Sequence, residues 1–160
     1  MDSETKRKII LEHMCNPYNK AKKSGEYTRI KASIDNCIDE VELYIKIEND
    51  VLKEVYYDVE ACAITSSTCS IMAKNLQDLN IDEAIYIVEN YKKMIEHVEY
   101  DSKCLKEANA YEEIYKQPSR KKCALLPWDA LYKELIKIKD TWMRNFFCFF
   151  VWHESLFGVL

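Results

Sequence analysis

Hydrophobic and polar positions change from period two to helical period at Cys62 and stay helical from there. Before that point Ile9 and Ile10 give Glu4 to Met14 one apolar helical side, and the Asn16-Pro17 pair stops the helix because proline disfavours helical geometry in the residue before it. A basic loop, Asn19 to Gly25, precedes three β-rich runs at Thr28 to Ile34, Val41 to Glu48 and Val51 to Glu60. The second alternates strictly, with Val41, Leu43, Ile45 and Ile47 on one face and Glu42, Tyr44, Lys46 and Glu48 on the other. Asn49-Asp50 is a short polar turn, so the second and third runs are expected to pair as an antiparallel hairpin with one face of the sheet dry.

Beyond Cys62 the period is helical. Thr65, Ser66 and Ser67 offer N-cap hydroxyls to a helix reaching Leu76 through Ile64, Cys69, Met72 and Ala73. Asp82 to Val98 forms a second helix, with Ala84, Ile85, Val88, Tyr91, Met94 and Ile95 on its apolar face. Tyr100 to Gln117 is charged and irregular, with a short helix around Ala108 to Tyr115. The last helix is expected to start at Cys123, with Pro127 in its first turn, where a missing N–H is tolerated. Strands followed by helices predict an α+β fold, a small three-stranded antiparallel sheet packed on one face by helices.

With 160 residues, 48% of them hydrophobic, the chain suffices for one core and is short for two. The net charge of −4, with both signs interspersed, leaves no electrostatic footprint for nucleic acid. MDSETKRKIILEH carries charges where a secretory signal needs an apolar stretch, so a reducing, cytoplasmic setting is expected. There seven cysteines point to metal or thiol chemistry, some of them being simply buried, rather than to a disulfide framework.

Cys37 and Asp39 share the connection between the first two strands, and Cys62 and Cys123 each stand at the expected start of a helix. Free N–H groups and the positive end of the helix dipole favour thiolate there, the form that binds metal and attacks sulfur. A loop thiolate, a loop carboxylate and two helix-start thiolates could close around Zn²⁺. Spacing alone leaves isolated thiols or small buried hydrophobes as the alternative, since no Cys-x-x-Cys is present.

IILEHMCNPYNK (Ile9 to Lys20), NCIDE (Asn36 to Glu40), YYDVEACAITSSTCSIMAKNL (Tyr56 to Leu76) and PSRKKCALLPWDAL (Pro118 to Leu131) resemble the NifU/IscU superfamily of iron–sulfur cluster assembly proteins, in the family's order. The long interval between Cys62 and Cys123, and Lys122 where IscU-like scaffolds usually carry histidine, make the resemblance closest to the SufU-type branch. It implies a SufE/NifU-like fold over residues 1–139 and zinc held by Cys37, Asp39, Cys62 and Cys123. It also implies a persulfide accepted on Cys37 from a SUF-type cysteine desulfurase, whose histidine displaces one zinc ligand. A transient iron–sulfur cluster on Cys37, Cys62 and Cys123 is the alternative cargo, and a purely structural zinc a further reading. The chain departs from the family where Ile38 follows the first cysteine and Val59 and Ala61 flank Glu60, positions usually held by glycine, so stiffer ligand loops are expected.

Cys69 is expected in the core, Cys15 and Cys104 exposed, and His13 packed or solvated at a helix end rather than on metal. His97 and His153 have no ligand neighbours in sequence. Arg120 is an auxiliary candidate beside Cys123, with surface pairing to a glutamate as the competing reading. Lys20, Lys22 and Lys23 read as a solvated loop. Residues 140–160 form an aromatic tail without counterpart in the family; its run Phe146 to Trp152 is too short to span a bilayer, and the sequence assigns it no function. Oligomeric state is not legible.

Overall fold

The computed structural model describes residues 1–35 and 38–155, with side chains described through residue 144. Helix α1 (Ser3–Cys15) starts on Asp2, whose carboxylate accepts the Thr5 N–H at 2.9 Å. Strands β1 (Thr28–Ser33), β2 (Glu40–Glu48) and β3 (Val51–Glu60) follow, then α2 (Ala63–Leu76), β4 (Leu79–Asn80), α3 (Ile81–Ile95), the single turn α4 (Ser102–Leu105), two short 3₁₀ segments, and α5 (Pro118–Ser155).

All neighbouring strands pair antiparallel in the order β1-β2-β3-β4. The sheet therefore has four strands, not three. The fourth holds only Leu79 and Asn80, opposite Leu52 and Val51, and two residues are too few to show a period. Asn49 and Asp50 both adopt positive φ, 50° and 67°, as a two-residue turn joining right-twisted strands requires. Ile47 faces Leu52 while Lys46 faces Glu54, so Lys53 is an extra residue that shifts the inward set from Leu52 to Val55, Tyr57 and Val59.

That inward face is dry. Val41, Leu43, Ile45, Leu52, Val55 and Tyr57 are buried under α2, which lies across β3, and α5, which crosses β1 and β2. Helix α3 packs on α5 and begins with a capping box formed by Asn80 and Glu83, so its cap is the last residue of β4. The Trp128 ring stacks on Tyr91 with centroids 4.0 Å apart. On the outer face Arg29 and Lys31 pair with Glu42, and the basic loop follows the sheet by its backbone while Lys20 and Lys22 stay exposed. Asn19 and Ala21 exchange backbone hydrogen bonds with Tyr57, Lys22 pairs with Asp58, and Lys23 lies 3.8 Å from the Tyr56 ring centroid.

Two sequence expectations shift at α5. It begins at Pro118 rather than Cys123, because the polar run PSRKK is helical without an apolar face, so Pro127 sits in the helix interior. Among the described residues no helix is long and apolar enough to cross a membrane.

Candidate metal centre

Three of the four proposed ligands fall within the described residues and meet at one point. Asp39 ends the β1–β2 connection directly before β2, Cys62 is the N-cap residue of α2 just after β3, and Cys123 is the sixth residue of α5. One ligand atom from each lies within 4.8 Å of the other two. A tetrahedral zinc with bonds of about 2.3 Å to sulfur sets its ligands about 3.8 Å apart, so the trio fits with small adjustments. Cys37, two residues before Asp39, lies outside the described residues.

Asp39 is 1% exposed, which by itself disfavours its charged form. Hydrogen bonds outweigh that burial: the Thr65 hydroxyl donates to Oδ2 at 2.7 Å, the Cys62 N–H donates to Oδ1 at 2.8 Å, and the two thiols add to these. The carboxyl group is consequently held below its ordinary range, as a carboxylate. The groups acting on it are neutral donors, none of them cationic.

Cys123 is not at a helix start, so the free N–H groups invoked from sequence do not reach it. Burial first, then the neighbouring Asp39 and Cys62, push its thiol up to about 12 in the metal-free chain. A largely buried group of two thiols and a carboxylate thus has no positive charge among the groups acting on it, and its donor set suits a soft divalent cation. Cys62 is half-buried and within 3.5 Å of the Thr65 hydroxyl, but its own side chain does not cap α2.

Pro127 fits here. Having no N–H, it leaves the Cys123 carbonyl without its helical partner, and that carbonyl accepts from Thr65 at 3.2 Å. The Ala124 carbonyl accepts from Tyr91 at 3.2 Å, and Trp128 Nε1 donates to Thr68 at 2.8 Å. Thr65, Ser66 and Ser67, expected to offer capping hydroxyls, do not cap α2; Thr65 and Ser67 are instead buried, with Thr68 and Ser70, and bond to neighbouring elements. Thr65 is the site residue that spacing missed, although its place three residues after Cys62 was a signal.

The other candidates fall apart from this point. Cys69 is fully buried, with its thiol pushed far up by desolvation, and Cys15 is exposed. Cys104, expected to be exposed, is half-buried and donates to the Asp101 carbonyl. Arg120 is exposed, three residues before Cys123, and is not among the groups acting on that thiol. His97 stacks on Tyr115 with centroids 3.9 Å apart, and Cys148 and His153 lie outside the described side chains. His13 is 4% exposed, with Nδ1 2.7 Å from Ser70 Oγ and Nε2 3.1 Å from Glu107. Ser70 also accepts the Tyr18 N–H at 2.8 Å. His13 and Ser70 are buried and brace α1 against α2, while Glu107 at the end of this polar row is open to solvent and also pairs with Lys74.

A small antiparallel sheet backed by helices, with a carboxylate and two thiols gathered at one point, defines an α+β protein with a candidate soft-metal centre. The family model described as the NifU-like N-terminal domain matches residues 5–136. The chain is 28% identical to the zinc-dependent sulfurtransferase SufU of Bacillus subtilis, over 82% of its own length and 89% of that protein. It is 30% identical to the iron–sulfur cluster assembly scaffold protein IscU of Thermotoga maritima, over 64% of its length and 72% of that protein. Its fold superimposes with a TM-score of 0.73 at 24% identity on the putative SUF-system scaffold protein of Fervidobacterium islandicum, covering 77% of this chain and 90% of that one. The chain belongs to the NifU-like N-terminal domain family, within the NifU/IscU superfamily of iron–sulfur cluster assembly and on its SufU-like side.

Proposed function

We propose that this protein accepts persulfide sulfur from a SUF-type cysteine desulfurase in the cytoplasm and does so as a zinc protein, with Cys37, Asp39, Cys62 and Cys123 as ligands. The observation that carries this reading is the buried Asp39–Cys62–Cys123 cluster, three potential anions with no cation among them. Cys37 completes the set by sequence: it stands two residues from Asp39, and a chain covers at most about 3.6 Å per residue. Bound zinc would keep the thiols ionised and shielded until docking opens one position.

Transfer is a thiol exchange without net oxidation. The Cys37 thiolate attacks the outer sulfur of the donor persulfide, a new sulfur–sulfur bond forms on Cys37, and the donor's sulfur–sulfur bond breaks. The donor cysteine leaves as thiolate and takes up a proton. A partner histidine taking the place of Cys37 would free that thiolate for attack, while Asp39, held as a carboxylate by Thr65 and the Cys62 N–H, would stay among the zinc ligands with Cys62 and Cys123. Arg120 remains an auxiliary candidate by its place three residues before Cys123 in sequence.

The likeness to a protein named as a scaffold favours one second reading, an iron–sulfur cluster carried directly on Cys37, Cys62 and Cys123. Anaerobic purification with metal and acid-labile sulfide analysis, followed by a desulfurase stimulation assay with zinc alone, separates the two. Stimulation that disappears in Cys37→Ala, with no sulfide bound, is expected. Acid-labile sulfide and iron on the wild type support the scaffold instead. A lower melting temperature in Cys37→Ala with unchanged sulfur transfer marks the zinc as structural only.

A further inference from the structure

Thr65 is completely buried, and among the described residues it touches every member of the centre. Its hydroxyl lies 2.7 Å from Asp39 Oδ2, 3.2 Å from the Cys123 carbonyl and 3.5 Å from Cys62 Sγ. The first two partners are pure acceptors, so the one hydroxyl proton is directed between them and the oxygen lone pairs face the Cys62 thiol. Each contact reaches a different segment: the β1–β2 connection that carries Asp39, the N-cap of α2, and the α5 turn whose carbonyl Pro127 leaves free.

We propose that Thr65 is a positioning residue of this centre, fixing the Asp39 carboxylate and the Cys123 turn relative to Cys62 so that the three donors face one divalent cation. The assignment rests on the zinc reading given above, and it extends that reading to a residue that donates no ligand atom. The threonine methyl group plays no part in it, and serine is an adequate substitute. A valine fills the same volume and leaves Asp39 Oδ2 without its side-chain donor in a place closed to water. Orientation of a ligand by such an outer hydrogen bond is typically worth 10- to 100-fold in metal affinity.

The test uses the full chain, with zinc affinity read by chelator competition and ligand geometry by the visible absorption of the cobalt-substituted protein. Thr65→Val is expected to bind zinc about 10- to 100-fold more weakly and to shift the cobalt bands, while Thr65→Ser restores both. Ser67→Ala removes another buried hydroxyl of α2, one that bonds Ala63 and Tyr111 and no ligand, and is expected to leave affinity and bands unchanged. Wild-type affinity and bands in Thr65→Val, failure of Thr65→Ser to restore them, or an equal loss in Ser67→Ala would overturn the assignment. If the wild type itself takes up neither zinc nor cobalt, the zinc reading fails first, and the two failures are told apart.

Discussion

Asp39 and Cys123 sit in one buried cluster yet respond to pH in opposite senses. Asp39 is held below its ordinary carboxyl value of 3.8 in the fold, so it contributes stability that is present above that value and lost as pH falls through the folded one. Cys123 is raised from 9.0 to about 12, so its contribution is complete below pH 9 and is lost as pH climbs toward 12. Metal-free protein in chelator should accordingly melt at lower temperature at both extremes. Added zinc should remove most of the alkaline loss, because a coordinated thiol is already deprotonated. Differential scanning calorimetry across pH, with and without zinc, checks this, and a flat alkaline limb in the metal-free protein would contradict it. His13 belongs to a separate polar row. Replacing it with alanine strips Ser70 and Glu107 of their imidazole partner, and should cost about 1–3 kcal/mol. Urea unfolding should show that loss with zinc content unchanged, since the ring does not reach the centre.

At the scale of the element, α5 combines two opposed demands. A proline in a helix interior costs about 3 kcal/mol against alanine, and Pro127 is retained where its missing N–H releases the Cys123 carbonyl to Thr65. Pro127→Ala should therefore raise the melting temperature of the metal-free chain while lowering zinc affinity about tenfold, because the new N–H competes for that carbonyl. Parallel movement of stability and affinity would argue against it. This arrangement was not legible in the sequence: PSRKK carries no apolar face, so α5 seemed to begin at Cys123 and its proline seemed harmless. The β2–β3 hairpin was legible, since strict alternation and an Asn-Asp turn are local signals. Strand β4 was not, because its two residues are strand only through pairing with Val51 and Leu52. Cys62 sits at its helix start as read, whereas the convergence of Cys62 and Cys123 on Asp39 came from family resemblance. Spacings of 23 and 61 residues between ligands encode tertiary geometry that no local period reports.

For the whole molecule, the question left by the sequence is where the domain ends. Among the described side chains of α5 the last fully buried one is Leu135, Ile138 packs partly on the core, and Lys139 pairs with Asp82 at the head of α3. One turn later Trp142 and Met143 are 41% and 53% exposed, so by that point the helix has left the body. We propose the boundary at Lys139, which agrees with the family match ending at residue 136 and places every proposed ligand before it. A chain stopped after Lys139 loses the exposed Trp142 and Met143 and the helical segment beyond them, and should keep its melting temperature within about 2 °C. Its zinc stoichiometry should equal that of the full chain, since Asp39, Cys62 and Cys123 are anchored by Thr65 and by the Thr68–Trp128–Tyr91 contacts, all of them within the shortened protein. Calorimetry and metal analysis on the two chains decide the point. A melting temperature lower by ten degrees or more would make residues 140–160 part of the fold rather than an appendage to it.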